Sequence, residues 1–277
     1  MKFKRPLAKS IFICLALCLF SAARADMMIS PTRVLMDDNN RSTTLTLRNP
    51  SDGPRSYRLG WQDKRARAGG GYDIITKDEQ WPSAKDMVRH SPRQITVGAG
   101  ENQTVRFSWR PPADLPAGEY RSHLLLEVIP DISEPTSTFK SGIPEKGIGV
   151  QVFMQMSFSI PVVVRHNTDS PKVSIGEVKV IPPKKGQETR LSIVFNRTGN
   201  ASSYGRVIVE MQRDSNSPVE LIGEYRELSI FHELDQREIT VALRNKQIST
   251  GTWIRIAYEG LKEYQGTLWA EKLFKTN

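Results

Sequence analysis

The sequence predicts an all-β protein with two β-sandwich domains in tandem. Short stretches of alternating apolar and polar residues recur along most of the 277 residues, and Pro, Gly, Asn, Asp and Ser residues separate them as turns. No stretch shows the apolar spacing of a helix of three or more turns. A chain of this length can bury two hydrophobic cores. Short strands at regular spacing are typical of β-sandwiches.

Residues 1–25 are expected to form a cleavable signal peptide and to take no part in the fold. Four basic residues in the first nine positions precede the apolar stretch Ser10–Phe20, and Ala23-Arg24-Ala25 has the small-x-small pattern of a cleavage site. The apolar stretch is shorter than the roughly 20 residues of a membrane span, so we expect no membrane insertion.

The charge of the remaining chain argues against one class of partner. Residues 1–25 hold five of the 39 basic residues and none of the 30 acidic ones, which leaves 34 basic against 30 acidic residues, a net charge of +4. So small a net charge does not call for nucleic acid. Both cysteines, Cys14 and Cys18, also lie in this segment, so disulfides and thiolate metal sites are not expected.

Residues 26–165 are predicted to form the first domain. Its strands are expected at Met27–Leu35, Ser42–Leu47, Ser56–Asp63, Arg93–Val97, Thr104–Trp109 and Glu119–Ile129. Pro31 interrupts the first of these, as at a sheet edge. The segment Asp131–Gly147 is rich in Pro, Ser, Gly and Lys and predicts a mobile loop, whose unusual length favours a functional or disordered segment.

The last strand of this domain, Ile148–Val164, has the strongest pattern in the chain. Apolar side chains recur at every second position: Ile148, Val150, Val152, Met154, Met156, Phe158 and Ile160. Since successive side chains of a strand point to opposite faces, these residues form one apolar face. One interpretation is the core face of a buried strand. The other is a surface that residues 148–156 offer to another protein, with Phe158 and Ile160 in the domain's own core.

A polar, turn-rich segment at residues 166–171 is predicted to link the first domain to a second one at residues 172–277, with a cleft between them. The strands of the second domain are expected at Lys172–Ile181, Arg190–Phe195, Gly205–Gln212, Arg226–Phe231, Glu238–Leu243, Thr252–Tyr258 and Gly266–Leu273.

Several short motifs follow one another along both domains. They include Pro31-Thr32-Arg33-Val34, Asn49-Pro50-Ser51-Asp52, Leu115-Pro116, Val163-Val164-Arg165, Arg197-Thr198-Gly199-Asn200 and Tyr258-Glu259-Gly260. In their order and spacing they resemble the periplasmic chaperones of pilus assembly, the PapD-like family. The resemblance implies two immunoglobulin-like sandwiches, a periplasmic location, and a role in fimbrium biogenesis and cell wall organization, without enzymatic activity or a cofactor.

The same resemblance implies that the chain donates its long strand to pilus or fimbrial subunits that lack their last strand. Ile148, Val150, Val152, Met154 and Met156 would then fill the open groove of the subunit. The bound subunit would pass to an outer-membrane usher. In the free chain, so apolar an edge is expected to be mobile or capped by self-association.

Two charged sites are also implied by the resemblance. Arg33 would bind the C-terminal carboxylate of the subunit, with an ordinary solvated arginine at the sheet edge as the alternative. Pro161 stands where the family pattern has a second basic residue, so the second cation stays open. Glu119, Arg165 and Glu259 would form an ionic link between the domains, with ordinary surface charge as the alternative.

Other functions have weaker support in the sequence. The four histidines show neither the spacing of a metal site nor a paired nucleophile: His90, His123, His166 and His232. We therefore expect neither a metal site nor a hydrolase. The remaining alternative is a secreted β-sandwich that binds a ligand or forms a structural fibre subunit. A fibre subunit would be expected to carry its donor segment at the N-terminus, whereas here the apolar row lies between two domains.

Overall fold

A computed structural model describes residues 27–76, 79–130, 156–184, 188–214, 216–244 and 248–276. These residues form strands and a single 3₁₀ turn, Lys262–Tyr264, so the prediction of an all-β fold is confirmed. The predicted signal peptide, the loop Asp131–Gly147 and the apolar positions from Ile148 to Met154 lie outside these ranges. Within the ranges, no helix is long and apolar enough to cross a membrane.

The first sandwich has two sheets and a small hairpin. Its strands are β1 (Met28–Ser30), β2 (Val34–Asp37), β3 (Ser42–Arg48), β4 (Arg55–Gln62), β5 (Lys64–Ala66), β6 (Tyr72–Ile74), β7 (Val88–Ser91), β8 (Gln94–Val97), β9 (Asn102–Trp109), β10 (Gly118–Ile129) and β11 (Phe158–His166). One sheet has the order β1-β3-β9-β7 and the other the order β2-β11-β10-β4-β8, while β5 and β6 form a separate two-stranded sheet. Alternate side chains of both sheets form the core, among them Leu45, Val105, Leu124 and Val162.

Pro31 divides the predicted first strand, Met27–Leu35, into two strands. β1 pairs with β3 in one sheet, and β2 runs parallel to β11 in the other. Proline has no backbone N–H to give to a ladder, so it suits the point where the chain leaves one sheet for the other. The chain between the two strands therefore crosses from one face of the sandwich to the other, and Arg33 lies in this crossing.

The second sandwich has one sheet of three strands and one of four. Its strands are β12 (Lys172–Ile181), β13 (Arg190–Thr198), β14 (Ser203–Gln212), β15 (Glu220–Ile230), β16 (Gln236–Ala242), β17 (Trp253–Gly260) and β18 (Leu268–Lys275). The sheets have the orders β12-β13-β16 and β15-β14-β17-β18. The core between them is separate from the first core. On this basis we propose that the domains divide near residues 166–171, between β11 and β12.

The β5–β6 hairpin of the first sandwich lies against the second. The backbone N–H of Glu238, in β16, donates to the carbonyl of Ala68 at 2.9 Å, and Arg237 Nη1 donates to the same carbonyl at 2.7 Å. β16 is an edge strand of its sheet. Because an uncovered edge invites unwanted pairing, the hairpin both protects β16 and adds contacts between the domains.

Candidate functional site

The described end of the predicted donor strand is a sheet edge. β11 pairs with β10 along its whole length, but with β2 only from Val162 to Arg165. On the β2 side, the backbone of residues 158–161 therefore has no strand partner among the described residues. An edge of this kind can accept a strand from another protein.

The side chains near this edge pass from buried to exposed toward the preceding residues. Ile160 is buried in the first core, and the half-buried Phe158 ring lies 6.1 Å from the ring of Tyr57. Met156, the one predicted donor residue within the described ranges, is 54% exposed. The apolar row thus leaves the core between Ile160 and Met156, on the side of the chain where the predicted donor positions continue.

Arg33 projects from the crossing before β2 into the contact between the two sandwiches. Its Nη1 lies 2.9 Å from Oε1 of Glu263, in the 3₁₀ turn of the second sandwich, and its side chain is only 5% exposed. Its Nε is buried and has no hydrogen-bond partner among the described residues. The alternative of a solvated surface arginine is therefore wrong, because the second sandwich covers this side chain.

A second cation lies beside Arg33. Lys262 Nζ is 3.2 Å from the Thr32 hydroxyl and 5.1 Å from the centre of the Tyr204 ring. The guanidinium carbon of Arg33 is 4.9 Å from the centre of the same ring. A cation over an aromatic face is stabilised by the quadrupole of the ring. The sequence offered no second cation near Arg33, and in the structure a lysine of the second sandwich lies over the same aromatic ring.

Glu119 and Arg165 form a buried ion pair at the same contact. They are direct cross-strand neighbours in β10 and β11, and Arg165 Nε donates to Glu119 Oε2 at 2.9 Å. Glu119 also accepts hydrogen bonds from the backbone N–H and the hydroxyl of Ser202 in the second sandwich. Arg165 Nη2 donates to the Ser202 carbonyl at 3.0 Å. Glu119 and Arg165 therefore bind both domains at once.

The charge of Glu119 is strongly favoured in this setting. Burial alone would raise the pKa of its carboxyl, but the hydrogen bonds from His232 and Ser202 and the charge of Arg165 hold that pKa well below its ordinary value. A carboxyl pKa that is lower in the folded state stabilises the fold at pH values above the unfolded pKa. That stabilisation is lost as the pH falls toward the folded-state pKa.

Glu259, the third residue of the predicted link, lies elsewhere. Its Oε2 is 2.9 Å from Nη2 of Arg206, its cross-strand neighbour on β14, and both side chains are substantially exposed. The structure therefore does not bring Glu259 to the Glu119–Arg165 pair, because register has already matched it with an arginine of its own sheet. Ser202 and His232 take its place, the latter with Nδ1 3.4 Å from Glu119 Oε1.

The ion pair between Arg121 of the first sandwich and Glu233 of the second was not predicted. Arg121 is completely buried on the outer face of β10, where its guanidinium pairs with Glu233 and donates to the Lys64 carbonyl. Its guanidinium carbon lies 3.7 Å from the centre of the Phe231 ring. Glu119, Arg121 and His123 stand at alternate positions of one strand, so period two places them on one face. The alternation of these three residues was visible in the sequence, but nothing in the sequence indicated which residues of the second sandwich they contact.

His123 is a buried histidine on this same face. It is 2% exposed, its ring lies 5.1 Å from the Tyr72 ring, and neither ring nitrogen has a hydrogen-bond partner among the described residues. Burial, assisted by the positive charges of Arg121 and Lys64, lowers the pKa of His123 to about 3. The folded chain therefore holds His123 neutral down to strongly acidic pH.

Replacing His123 with leucine is expected to make the chain less sensitive to acid. Histidine in an unfolded chain has a pKa of about 6.5. Below that pH, His123 of the wild type binds a proton in the unfolded state but not in the folded state, and this lowers the stability of the fold. From pH 8 to pH 5, His123→Leu should gain about 2 kcal/mol of stability relative to the wild type. Urea unfolding of both proteins at the two pH values measures this. Parallel pH profiles would show that His123 does not carry the dependence.

Comparisons with known proteins give a likeness of fold. No family model and no curated protein matches the chain. Among solved structures it is similar to the Pseudomonas aeruginosa CupB2 chaperone, with 14% identity over 90% of this chain and 98% of that one and a TM-score of 0.46. It is also similar to a chain of the CsuC–CsuE chaperone–tip adhesion subunit pre-assembly complex of Acinetobacter baumannii, with 14% identity over 91% and 98% of the two chains and a TM-score of 0.44.

The Escherichia coli chaperone DraB is similar at 14% identity over 91% of this chain and 95% of that one, with a TM-score of 0.43. Many of the similar structures are pilus chaperones. Identities and TM-scores this low show a likeness of fold alone.

Proposed function

We propose that the chain is a periplasmic chaperone that binds pilus or fimbrial subunits by donating a β-strand and delivers them to an outer-membrane usher for assembly of a surface fibre. The observation that carries the proposal is the edge of β11. On its β2 side, residues 158–161 have no strand partner among the described residues, and in the sequence they follow closely on the alternating row at residues 148–156. The proposal assigns neither a cofactor nor a catalytic reaction to the chain.

The physical basis is the match between such an edge and an incomplete sandwich. A subunit that lacks its last strand has unpaired backbone groups and an open apolar groove. A donated strand pairs with that backbone whatever the sequence, and its alternate side chains fill the groove. Each large apolar side chain that is fully buried contributes about 1.5–3 kcal/mol. Ile148, Val150, Val152, Met154 and Met156 would supply these contacts, and methionine adapts to pockets of different shape.

The contact between the sandwiches completes the proposed site. Arg33 would bind the C-terminal carboxylate of the subunit, because a guanidinium offers a bidentate fork to a carboxylate. The Glu119–Arg165 pair, bound to Ser202 of the other sandwich, would hold the two domains at a fixed angle around that site. In the free chain, self-association would cap this apolar row.

Replacing Met154 with glutamate tests the donor strand. The variant is expected to fold and to melt cooperatively, because Met154 faces a partner rather than the core in this proposal. It should nevertheless fail to protect its subunit, since an unpaired carboxylate in an apolar pocket costs several kcal/mol. The measurement is recovery of subunit from the periplasm of cells that express the chaperone together with the subunits encoded beside it.

Gln155→Glu is the matched control, because it adds the same charge at the next position, on the opposite face of the strand. This variant should recover as much subunit as the wild type. Two outcomes would contradict the proposal. An unfolded Met154→Glu chain would place Met154 in the core, and equal recovery by Met154→Glu and the wild type would show that this side chain does not enter the subunit.

A further inference from the structure

We propose that the Glu263 carboxylate competes for Arg33 with the bound subunit, which is called the client below. Glu263 pairs with Arg33 in the free chain, and the C-terminal carboxylate of the client displaces it. This inference rests on the proposed function and concerns the regulation of the same site. Arg33 would thus pair with Glu263 before binding and with the carboxylate of the subunit afterwards. Glu263 belongs to the second sandwich and Arg33 to the first, so the exchange would also loosen one contact between the domains.

The first support is the occupied state of Arg33. Its Nη1 is 2.9 Å from the Glu263 carboxylate and its side chain is 5% exposed, so Glu263 already supplies a carboxylate to a guanidinium that water scarcely reaches. Its buried Nε and Nη1 have no hydrogen-bond partner among the described residues, so the contact with Glu263 is an ion pair without hydrogen-bond geometry. A guanidinium can hold a carboxylate with two parallel hydrogen bonds. Arg33 therefore retains an unused donor for a ligand that binds it in a better geometry.

The second support is the ease with which Glu263 can move. It lies in a 3₁₀ turn of three residues, none of them buried, and its side chain is 27% exposed. The turn begins at Lys262, which has a φ of +55°, a left-handed conformation that non-glycine residues seldom adopt. The partly exposed Glu263 side chain can therefore change its rotamer without disturbing either core.

The third support is the cation next to Glu263 in the chain. Lys262 Nζ contacts the Thr32 hydroxyl and the Tyr204 ring, and Arg33 lies over the same ring. A carboxylate that enters here therefore meets two cations. If it takes Arg33, the partly exposed Glu263 carboxylate can turn toward water, so neither negative charge is left buried without a partner.

The experiment measures binding of a carboxylate with and without this competitor. The probe is a synthetic octapeptide of alternating valine and serine with a free C-terminal carboxylate, and its matched control is the same peptide with a C-terminal amide. Binding is followed by NMR titration of the wild-type chain, Glu263→Gln and Glu259→Gln. We expect Glu263→Gln to bind the acid peptide about five- to tenfold more tightly than the wild type, as loss of a competing ion pair allows.

The amide peptide should bind all three proteins alike, and Glu259→Gln should match the wild type because Glu259 pairs with Arg206 away from this site. Equal affinity of the wild type and Glu263→Gln for the acid peptide, with a weaker amide, would overturn the role of Glu263 and leave the proposed function standing. Equal tightening for both peptides would also overturn it. No preference for the acid in any variant would refute Arg33 as an anchor, and Glu263 as its competitor with it.

Discussion

Replacing Arg165 with methionine is expected to lower the free energy of unfolding by about 3–5 kcal/mol, because it leaves the charge of Glu119 buried without its cation. Glu119 is fully buried and Arg165 only 10% exposed, so water cannot replace the lost contact. Methionine keeps most of the volume of the arginine stem, so the loss reports the charge rather than a cavity. Urea unfolding at pH 7 measures the change through the transition midpoint.

Two comparisons make this result specific. Arg206→Met breaks the exposed pair with Glu259 and should cost about 0–1 kcal/mol, as surface pairs do. The double variant Glu119→Gln/Arg165→Met removes both charges and should be more stable than the sum of its single variants predicts, because no buried charge is left alone. Simple additivity would show that the two residues do not act as a pair.

Replacing Arg33 with alanine is expected to weaken the complex with the client about ten- to hundredfold. A hydrogen bond to a charged group contributes about 1.5–3 kcal/mol, and each 1.4 kcal/mol is a factor of ten in affinity. Backbone pairing by the donor strand would remain, so the complex should dissociate faster rather than fail to form. Co-purification of the subunit from periplasm, followed by the dissociation rate of the purified complex, measures this.

The buried position of Arg33 requires a control that a surface arginine would not need. Arg33→Ala also removes the ion pair with Glu263, and this could loosen the contact between the domains. Glu263→Gln breaks the same ion pair but keeps the guanidinium, so it should lose comparable stability and still bind its client. If Glu263→Gln loses the client as completely as Arg33→Ala does, the ion pair between the domains matters and Arg33 is not the anchor.

Alternation in the sequence was enough to predict the strands of the second sandwich. Seven strands were expected from Lys172 onward and the described residues of this domain form seven, with β15 longer than the predicted Arg226–Phe231. Period two reflects the geometry of a single strand, in which successive side chains face opposite ways. The prediction was less precise where two local signals met, as at Pro31, where one predicted strand became β1 and β2 in opposite sheets.

The link predicted from Glu119, Arg165 and Glu259 was only partly predictable from the sequence. Both residues were named through the family resemblance, and the structure makes them direct neighbours across β10 and β11. Glu259 was named on the same grounds and pairs with Arg206 instead. Neighbours within one sheet are set by register, which turns and alternation fix locally. A third partner from another domain is not fixed in this way.

By itself, the sequence determined that this is an all-β chain and where most of its strands lie, because alternation and turn residues act within a few positions of each other. Only the tertiary structure decided which side chains meet between the sandwiches. Ser202 beside Glu119, Glu233 beside Arg121 and Glu263 beside Arg33 each join residues far apart in the chain. Their contacts depend on how two separately packed cores are placed against each other, and no local pattern encodes that placement.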